Sequence, residues 1–175
     1  MTYKFRTFFC GSGDCIFLML KNGNDTLNIM VDCGKYTKEI DEFIRNDLKN
    51  KIAYLIVTHI DNDHISGLTT MLTTNCDLKI EHIIYNCYQR VTNEREQWTD
   101  KMKENVNRLY GQLPIVIDMI NQNINEEKAV TLAECILQKR EWEQAWQREY
   151  VTDKSPFNLP IIWGEFFSFL HLKML

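Results

Sequence analysis

The sequence lacks several patterns that would assign a function class directly. None of its six cysteines forms a CxxC pair, which excludes a zinc-ribbon type of metal site. The net charge of -4 provides no general basic surface of the kind that binds nucleic acid. Residues 1–9 mix charged and aromatic side chains and do not resemble a secretory signal. We therefore expect a cytoplasmic protein whose thiols are reduced and mostly buried.

The chain also has no internal repeat, no low-complexity segment and no membrane span. Residues 156–175 are unusually apolar and aromatic, but three polar residues interrupt them: Glu165, His171 and Lys173. With 175 residues, of which 45% are hydrophobic, the chain is long enough for one globular core and short for two. These properties predict a single domain over residues 1–175 and no membrane association.

Short apolar segments separated by turn residues predict an α/β organisation for the N-terminal half. Residues 3–9, 15–20 and 26–32 have the composition of strands and are separated by turn signals. A helical face over residues 38–49 precedes an apolar, β-branched run at residues 53–58, which is typical of a buried strand. A second helix over residues 64–74 and a strand over residues 78–86 complete this part.

The sequence becomes helical in character over residues 91–155. Within residues 130–150, the rings of Trp142, Trp146 and Tyr150 recur at a spacing of four and share one helical face. Such a stripe is more typical of packing than of ligand binding. The apolar segment 156–175 that follows has no assigned element.

The loop after the predicted buried strand concentrates metal-ligating side chains. Six residues contain two imidazoles and two carboxylates: His59, Asp61, Asp63 and His64. Open α/β sheets generally place their sites at the carboxyl ends of strands, and a rigid strand end can hold converging ligands. Four such ligands can bind two divalent ions, which together activate water and stabilise a phosphate or carbonyl oxygen. The loop therefore predicts a hydrolytic metal site.

A plainer interpretation assigns the aspartates to local structure. Residues 61–63 would form a polar turn that caps the helix beginning near His64, since Asp and Asn are preferred N-caps. That interpretation accounts for neither histidine, and capping can coexist with coordination. Asp32 has a comparable alternative as a simple Asx turn at the end of a strand.

Three segments of the chain resemble signatures of the metallo-β-lactamase superfamily, in the family's order. Residues 58–68 are similar to its HxHxDH signature, which is followed by a small residue and a glycine. Residues 11–18 resemble the G-x-GD segment on the first hairpin, and residues 29–34 resemble the D-x-G turn that ends the third strand. The resemblance implies an α/β fold, an αββα sandwich of two ββα halves, and a metal-dependent hydrolase.

The resemblance also implies roles for individual residues. His59 would bind the first metal, Asp63 and His64 the second, and Asp32 would support the ligand loop from behind. Asp63 would also accept a proton from the nucleophilic water, which makes it the predicted catalytic residue. The expected metal ligands are thus His59, Asp61, Asp63 and His64, and the expected cofactors are divalent ions, two if the site is complete.

One departure from the family pattern bears on metal and substrate. Asp61 stands where HxHxDH has its second histidine, and carboxylate oxygen is a harder ligand than imidazole. This shifts the expected metal from zinc toward manganese or magnesium, and the choice between zinc and manganese stays open. The HxDxDH variant is similar to that of the hydrolase domains of DNA-uptake (competence) channel proteins. The implied substrate is therefore a phosphodiester, with nucleic acid as one candidate.

A second departure concerns the later ligands of the family. Its second half should provide a histidine, a bridging aspartate and a final histidine, yet His82, His171 and Asp118 lie in no recognisable signature. Alternation along its predicted strand makes His82 a partly buried structural residue. The resemblance therefore covers residues 3 to about 90 and predicts an incomplete sandwich with a helical C-terminal part.

Two functional hypotheses follow. The first is a metal-dependent phosphodiesterase or nuclease-like hydrolase that uses a metal-activated water. The alternative is a truncated or degenerate protein of this fold that binds a metal or a partner without turnover. If another copy of the chain or another protein provides the missing ligands, the apolar half-sheet needs a cover, since an uncovered apolar face invites association. The aromatic stripe and the apolar tail can provide that cover within the chain or between chains, so a homo-oligomer or a partner protein that completes the fold is one possible arrangement.

Overall fold

The computed structural model describes residues 1–11, 13–85 and 123–147. The strands are β1 (Thr2–Thr7), β2 (Ile16–Asn22), β3 (Asp25–Val31), β4 (Lys51–Val57) and β5 (Lys79–Tyr85). The helices are α1 (Lys38–Glu42), which continues into a π-helical turn (Phe43–Asp47), α2 (Asn62–Thr74), α3 (Asn123–Leu137) and α4 (Arg140–Gln147). Residues 91–122 and 148–155 of the stretch predicted to be helical lie outside the described residues, as does the apolar segment 156–175.

The strands form one mixed sheet in the order β1-β2-β3-β4-β5. β1, β2 and β3 are an antiparallel meander, whereas β3, β4 and β5 run parallel to one another. The crossovers between the parallel strands contain α1 with its π-helical turn and then α2. Because β3, β4 and β5 run in the same direction, their carboxyl ends lie at one edge of the sheet.

One face of the sheet packs against the helices. A row of paired residues from four adjacent strands crosses this face: Phe17, Met30, Leu55 and Ile83. All four are buried in the main hydrophobic core, which also contains residues of every helix from α1 to α4. The alternation of strand residues in the sequence therefore corresponds to a real division between two faces.

The other face contains a second, smaller apolar cluster. A second row of paired residues, each one position from the first row in sequence, crosses this face: Leu18, Ile29, Tyr54 and His82. The rings of Tyr54 and His82 stack with centroids 4.5 Å apart. His82 is therefore a half-buried part of the sheet, as its alternation predicts. Toward the edge strand β1 this face is open, and Tyr3 and Phe5 are 65% and 63% exposed.

The two C-terminal helices pack against the helix-bearing side of the sheet and against α2. Trp142 Nε1 donates a hydrogen bond to the Leu78 carbonyl at 3.0 Å, and Trp146 Nε1 donates to the Tyr85 carbonyl at 2.8 Å. Tyr85 Oη in turn donates to the Ala129 carbonyl at 3.0 Å. These indoles are buried and satisfied, so the aromatic stripe is a packing face as far as Trp146, while Tyr150 lies outside the described residues.

Two helices differ from the sequence-based expectation. The helix expected over residues 38–49 is a short α-helix followed by a π-helical turn that ends at Asp47, after which Lys49 and Asn50 adopt positive φ. In place of the one helix expected over residues 130–150 there are two, because the first helix ends at Leu137 and the second begins at Arg140. In the described part of the chain, no helix has the length and apolar character needed to cross a bilayer.

Candidate metal centre

The predicted metal loop lies at the carboxyl edge of the parallel strands. Asp32 directly follows β3, Thr58 and His59 follow β4, and α2 begins at Asn62 with Asp61 as its N-cap residue. β3 and β4 are adjacent and parallel, so their ends bring Asp32 beside the loop from 26 residues away. Within the ranges that the structure describes, the side chains of Asp32, His59 and His64 form a cluster whose possible ligand atoms lie within 4.8 Å of one another.

Asp32 organises this cluster through both carboxylate oxygens. It adopts φ of 54°, in the left-handed region that Asp tolerates better than most residues, and its side chain is buried. Oδ1 accepts a hydrogen bond from the Thr58 backbone N–H at 2.8 Å, and Oδ2 accepts from Thr58 Oγ1 at 2.6 Å. His64 Nδ1 lies 2.9 Å from the same Oδ2. Asp32 therefore joins the ends of β3 and β4 to the first turn of α2.

These contacts determine which nitrogen each imidazole presents. The carboxylate of Asp32 is an acceptor, so the neutral ring of His64 carries its proton on Nδ1 and a lone pair on Nε2. The Thr58 hydroxyl uses its proton toward Asp32, so it accepts from His59 Nδ1 at 2.9 Å, and His59 also presents an Nε2 lone pair. The two rings lie side by side, with centroids 3.6 Å apart. Both histidines are thus in the tautomer that binds a metal through Nε2.

The two loop aspartates complete the donor set from the exposed side. Asp61 Oδ2 lies 3.6 Å from His59 Nε2, and Asp63 Oδ2 lies 3.7 Å from His64 Nε2. Both separations are too long for hydrogen bonds. Donors that share an ion at about 2.0–2.2 Å each lie about 3–3.4 Å apart, so each His–Asp pair needs only a few tenths of an ångström to share one. The nitrogen and oxygen donors present therefore fit divalent metal ions.

Solvent exposure divides the predicted site residues into two groups. The side chains of His59, Asp61, Asp63 and His64 reach solvent and are 47%, 45%, 39% and 14% exposed, respectively. Asp32 lies behind them and is almost inaccessible. Although Asp32 is close enough to join a metal cluster, its hydrogen bonds to Thr58 and His64 occupy both oxygens. This geometry favours an orienting role for Asp32.

Two glycines hold the backbone of the loop in place. A Cβ atom on Gly13 would lie 1.8 Å from the Asp63 carbonyl oxygen, and one on Gly34 would lie 2.1 Å from the same atom. Real Cβ atoms do not approach backbone this closely, so neither position accepts a side chain without displacing the loop. The two turns are themselves joined by a hydrogen bond of 2.9 Å from Gly34 N to the Asp14 carbonyl. The G-x-GD and D-x-G segments therefore form a backbone seat for Asp63.

Further backbone hydrogen bonds fix the start of α2 to the turn after β3. Cys33 N donates to the His64 carbonyl at 2.8 Å, and Gly67 N donates to the Cys33 carbonyl at 2.8 Å. Ser66 Oγ donates to the Gly34 carbonyl at 2.5 Å. The ligand loop is thus attached to rigid elements on both of its sides, as a preorganised site requires.

Buried thiols lie beneath this seat. Among the described cysteines, Cys10, Cys15, Cys33 and Cys135 are buried, Cys76 is exposed, and all five are free thiols. The hydrogen bond with Cys33 and burial raise the pKa of the Cys15 thiol well above its usual range, and burial raises the pKa of Cys10. The raised pKa values keep Cys10 and Cys15 protonated at neutral pH, so these two buried thiols are poor nucleophiles. Cys87 lies outside the described residues.

The side chains of Asp61 and Asp32 do not make the contacts that the capping and Asx-turn interpretations require. Asp61 occupies the N-cap position of α2, but its side chain makes no capping hydrogen bond. Asp32 bonds across the sheet to Thr58, and the backbone N–H that an Asx turn would need, that of Gly34, donates to Asp14 instead. The capping and Asx-turn interpretations therefore do not account for these carboxylates.

Comparison with known proteins gives one assignment. Residues 10–118, more than half of the chain, match the model of the metallo-beta-lactamase superfamily. The chain belongs to the metallo-beta-lactamase superfamily. Searches of curated proteins and of solved structures found no match. The superfamily match extends beyond residue 90, the limit of the resemblance recognised from the sequence, and includes Asp118, which lies outside the described residues, as does His171.

The superfamily assignment agrees with the mixed α/β architecture and with a metal site at the loop. It suggests a metal-dependent hydrolase. No role was predicted from the sequence for two residues of this region. The first is Thr58, whose hydroxyl connects Asp32 to His59. Its signal is a hydroxyl residue between a buried strand and the first ligand. The second is Lys128, which reaches the loop from α3.

Proposed function

We propose that the protein is a metal-dependent phosphodiesterase, nuclease-like in its choice of bond, with its centre at residues 59–64. The observation that carries the proposal is the arrangement in which Asp32 and Thr58 fix both imidazoles with Nε2 directed away from their hydrogen-bond partners. Superfamily membership supports hydrolysis. The carboxylates of the HxDxDH loop, which resembles that of DNA-uptake channel hydrolases, support a phosphodiester substrate.

In this proposal His59, Asp61, Asp63 and His64 hold two divalent ions. The two imidazoles suit zinc and the two carboxylates suit manganese, so either metal fits this donor set. When bound, such ions supply Lewis acidity, which makes water a nucleophile at neutral pH and stabilises negative charge on a phosphoryl oxygen.

The residues of the chain then have distinct tasks. Asp63 lies 3.7 Å from His64 Nε2 and is 39% exposed, so its carboxylate is accessible to accept the proton of the attacking water. Asp32 and Thr58 keep both imidazoles in the ligand tautomer. The seat formed by Gly13 and Gly34 keeps the Asp63 backbone fixed while the reaction proceeds.

The test combines metal content with turnover. Purified protein is loaded with Mn²⁺ or Zn²⁺, bound metal is measured by elemental analysis, and hydrolysis of bis(p-nitrophenyl) phosphate is followed. We expect the Asp63→Ala, His64→Ala double variant to lose bound metal and at least about 100-fold in rate, since each ligand contributes to holding the ions. His82→Gln is the matched control, because this histidine lies in the sheet, stacked on Tyr54.

The outcomes separate the two functional hypotheses. Turnover that is lost in the double variant and kept in His82→Gln supports the phosphodiesterase. Wild-type activity that survives the double substitution would overturn the proposed centre. Stoichiometric metal binding without hydrolysis would favour the alternative, a protein of this fold that binds metal or a partner without turnover.

A further inference from the structure

A cation reaches the metal loop from a part of the chain that the superfamily match does not cover. α3 begins at Asn123, beyond the matched residues 10–118. From the second turn of this helix, Lys128 Nζ donates a hydrogen bond to Asn62 Oδ1. Asn62 stands between the two loop aspartates, so the contact brings an ammonium group to the metal loop.

The position of Lys128 is fixed by the packing of its helix. The adjacent Ala129 is buried, and its carbonyl accepts the hydrogen bond from the Tyr85 hydroxyl. Leu132, one turn later, is fully buried, and α3 packs along α2. Lys128 itself is half-buried and Asn62 is exposed. The helix therefore holds the lysine stem beside the loop while the ammonium lies at the boundary with solvent.

The ammonium has a neutral partner in the described structure. The carboxylates of Asp61 and Asp63 lie beside His59 and His64. None of the ion pairs found among the described residues, with a limit of 4.0 Å, involves Lys128 Nζ. Its positive charge is consequently not cancelled by an ion pair there. A lysine ammonium at the rim of a site is a natural partner for a phosphate oxygen, because charge-assisted hydrogen bonds are stronger than neutral ones.

We infer that Lys128 is the anion-binding residue of this site, holding the non-reacting phosphate oxygen of a phosphodiester beside the metal loop. This inference rests on the proposed function and names the group that would determine its preference for anionic substrates. The competing role is structural: Lys128 would merely tether Asn62 and thereby position the loop.

Two substitutions separate the roles. Lys128→Met removes the ammonium and keeps much of the stem, whereas Asn62→Ala removes the tethered amide and leaves the ammonium in place. Lys21→Met is the matched control, because Lys21 pairs with Thr26 at the end of the sheet opposite the centre. Lys128→Arg tests whether a different cation suffices.

The probe is inorganic phosphate, titrated calorimetrically into Mn²⁺-loaded protein, with bis(p-nitrophenyl) phosphate kinetics in parallel. We expect Lys128→Met to weaken phosphate binding roughly tenfold and to raise KM more than it lowers kcat, as lost binding of an ionic group requires. Mn²⁺ affinity and the unfolding temperature should change little. Asn62→Ala and Lys21→Met should bind phosphate like the wild type, and Lys128→Arg should lose less than Lys128→Met.

Phosphate binding that is unchanged in Lys128→Met would overturn the inference. Equal losses in Lys128→Met and Asn62→Ala would also overturn it, since they identify a tether. Phosphate binding that depends on Lys128 in a protein without turnover would support the inference and reject the proposed hydrolase, so the two failures are distinguishable. A metal-loaded wild type that binds no phosphate would reject the inference alone if turnover is observed.

Discussion

The carboxyl edge of the sheet and the C-terminal helices stabilise the molecule in different ways. At the edge, short polar contacts dominate: Asp32, Thr58, His59 and His64 are joined by hydrogen bonds of 2.6 to 2.9 Å. In α3 and α4, buried aromatic and aliphatic side chains dominate, and Trp142 and Trp146 each donate one indole hydrogen bond, to the carbonyls of Leu78 and Tyr85. The edge therefore determines ligand geometry, whereas the helices mainly supply buried apolar surface.

The difference means that stability and metal affinity can be perturbed separately. A substitution in the helices should change the free energy of unfolding and leave the ligands of the folded protein in place. A substitution in the seat beneath the loop should change both quantities, and one in the hydrogen-bond network should change metal affinity with little effect on stability. Three variants test this order.

The largest effect is expected for Trp146→Ala. Trp146 is 1% exposed, stacks on Tyr85 at 5.7 Å and donates to the Tyr85 carbonyl, so its removal leaves a cavity and takes away this hydrogen bond. We expect a loss of about 3–5 kcal/mol in the free energy of unfolding, measured by urea denaturation. Mn²⁺ affinity of the folded fraction should stay within about twofold of wild type. A larger change in affinity would mean that α4 also helps to shape the centre.

The seat under the loop comes next, with Gly34→Ala. The new methyl group would overlap the Asp63 carbonyl, so the loop or the turn after β3 must move. We expect a destabilisation of about 1–3 kcal/mol together with at least a tenfold loss of Mn²⁺ affinity. Calorimetric titration and denaturation on the same preparation measure both.

Gly23→Ala is the control for this substitution. Gly23 has φ of 60°, and nothing lies within 4 Å of an added Cβ, so alanine there introduces only backbone strain of about 1–2 kcal/mol. Metal affinity should be unchanged. If Gly23→Ala and Gly34→Ala weakened metal binding equally, the seat would have no specific role.

The same contrast explains which parts of the structure follow from the sequence. The strands of the first 85 residues are recognisable because alternation and turn residues act locally, and the ligand loop because its histidines and aspartates are adjacent. Asp32 was connected to the loop by resemblance alone, since its bonds to Thr58 and His64 depend on the pairing of β3 with β4. The contact of Lys128 with Asn62 spans 66 residues and leaves no local pattern, so the sequence could not predict it.

The smallest and most specific effect is expected for Thr58→Val, which tests the hydrogen-bond network alone. Valine has nearly the same shape as threonine, and the backbone donor to Asp32 Oδ1 remains. It removes the hydroxyl that donates to Asp32 and accepts from His59 Nδ1, so the His59 ring loses the partner that selects its ligand tautomer. Loss of such an outer partner typically weakens metal binding about 10- to 100-fold.

We expect Thr58→Val to be near the lower end of that range, because His64 keeps its own contact with Asp32. Stability should change by less than about 1 kcal/mol at this exposed position. Thr58→Ser restores the hydroxyl and should restore Mn²⁺ affinity, measured by competition with a chromophoric chelator. Equal affinities for the valine and serine variants would show that His59 needs no partner, and the orienting role would then rest on the pairing of Asp32 with His64.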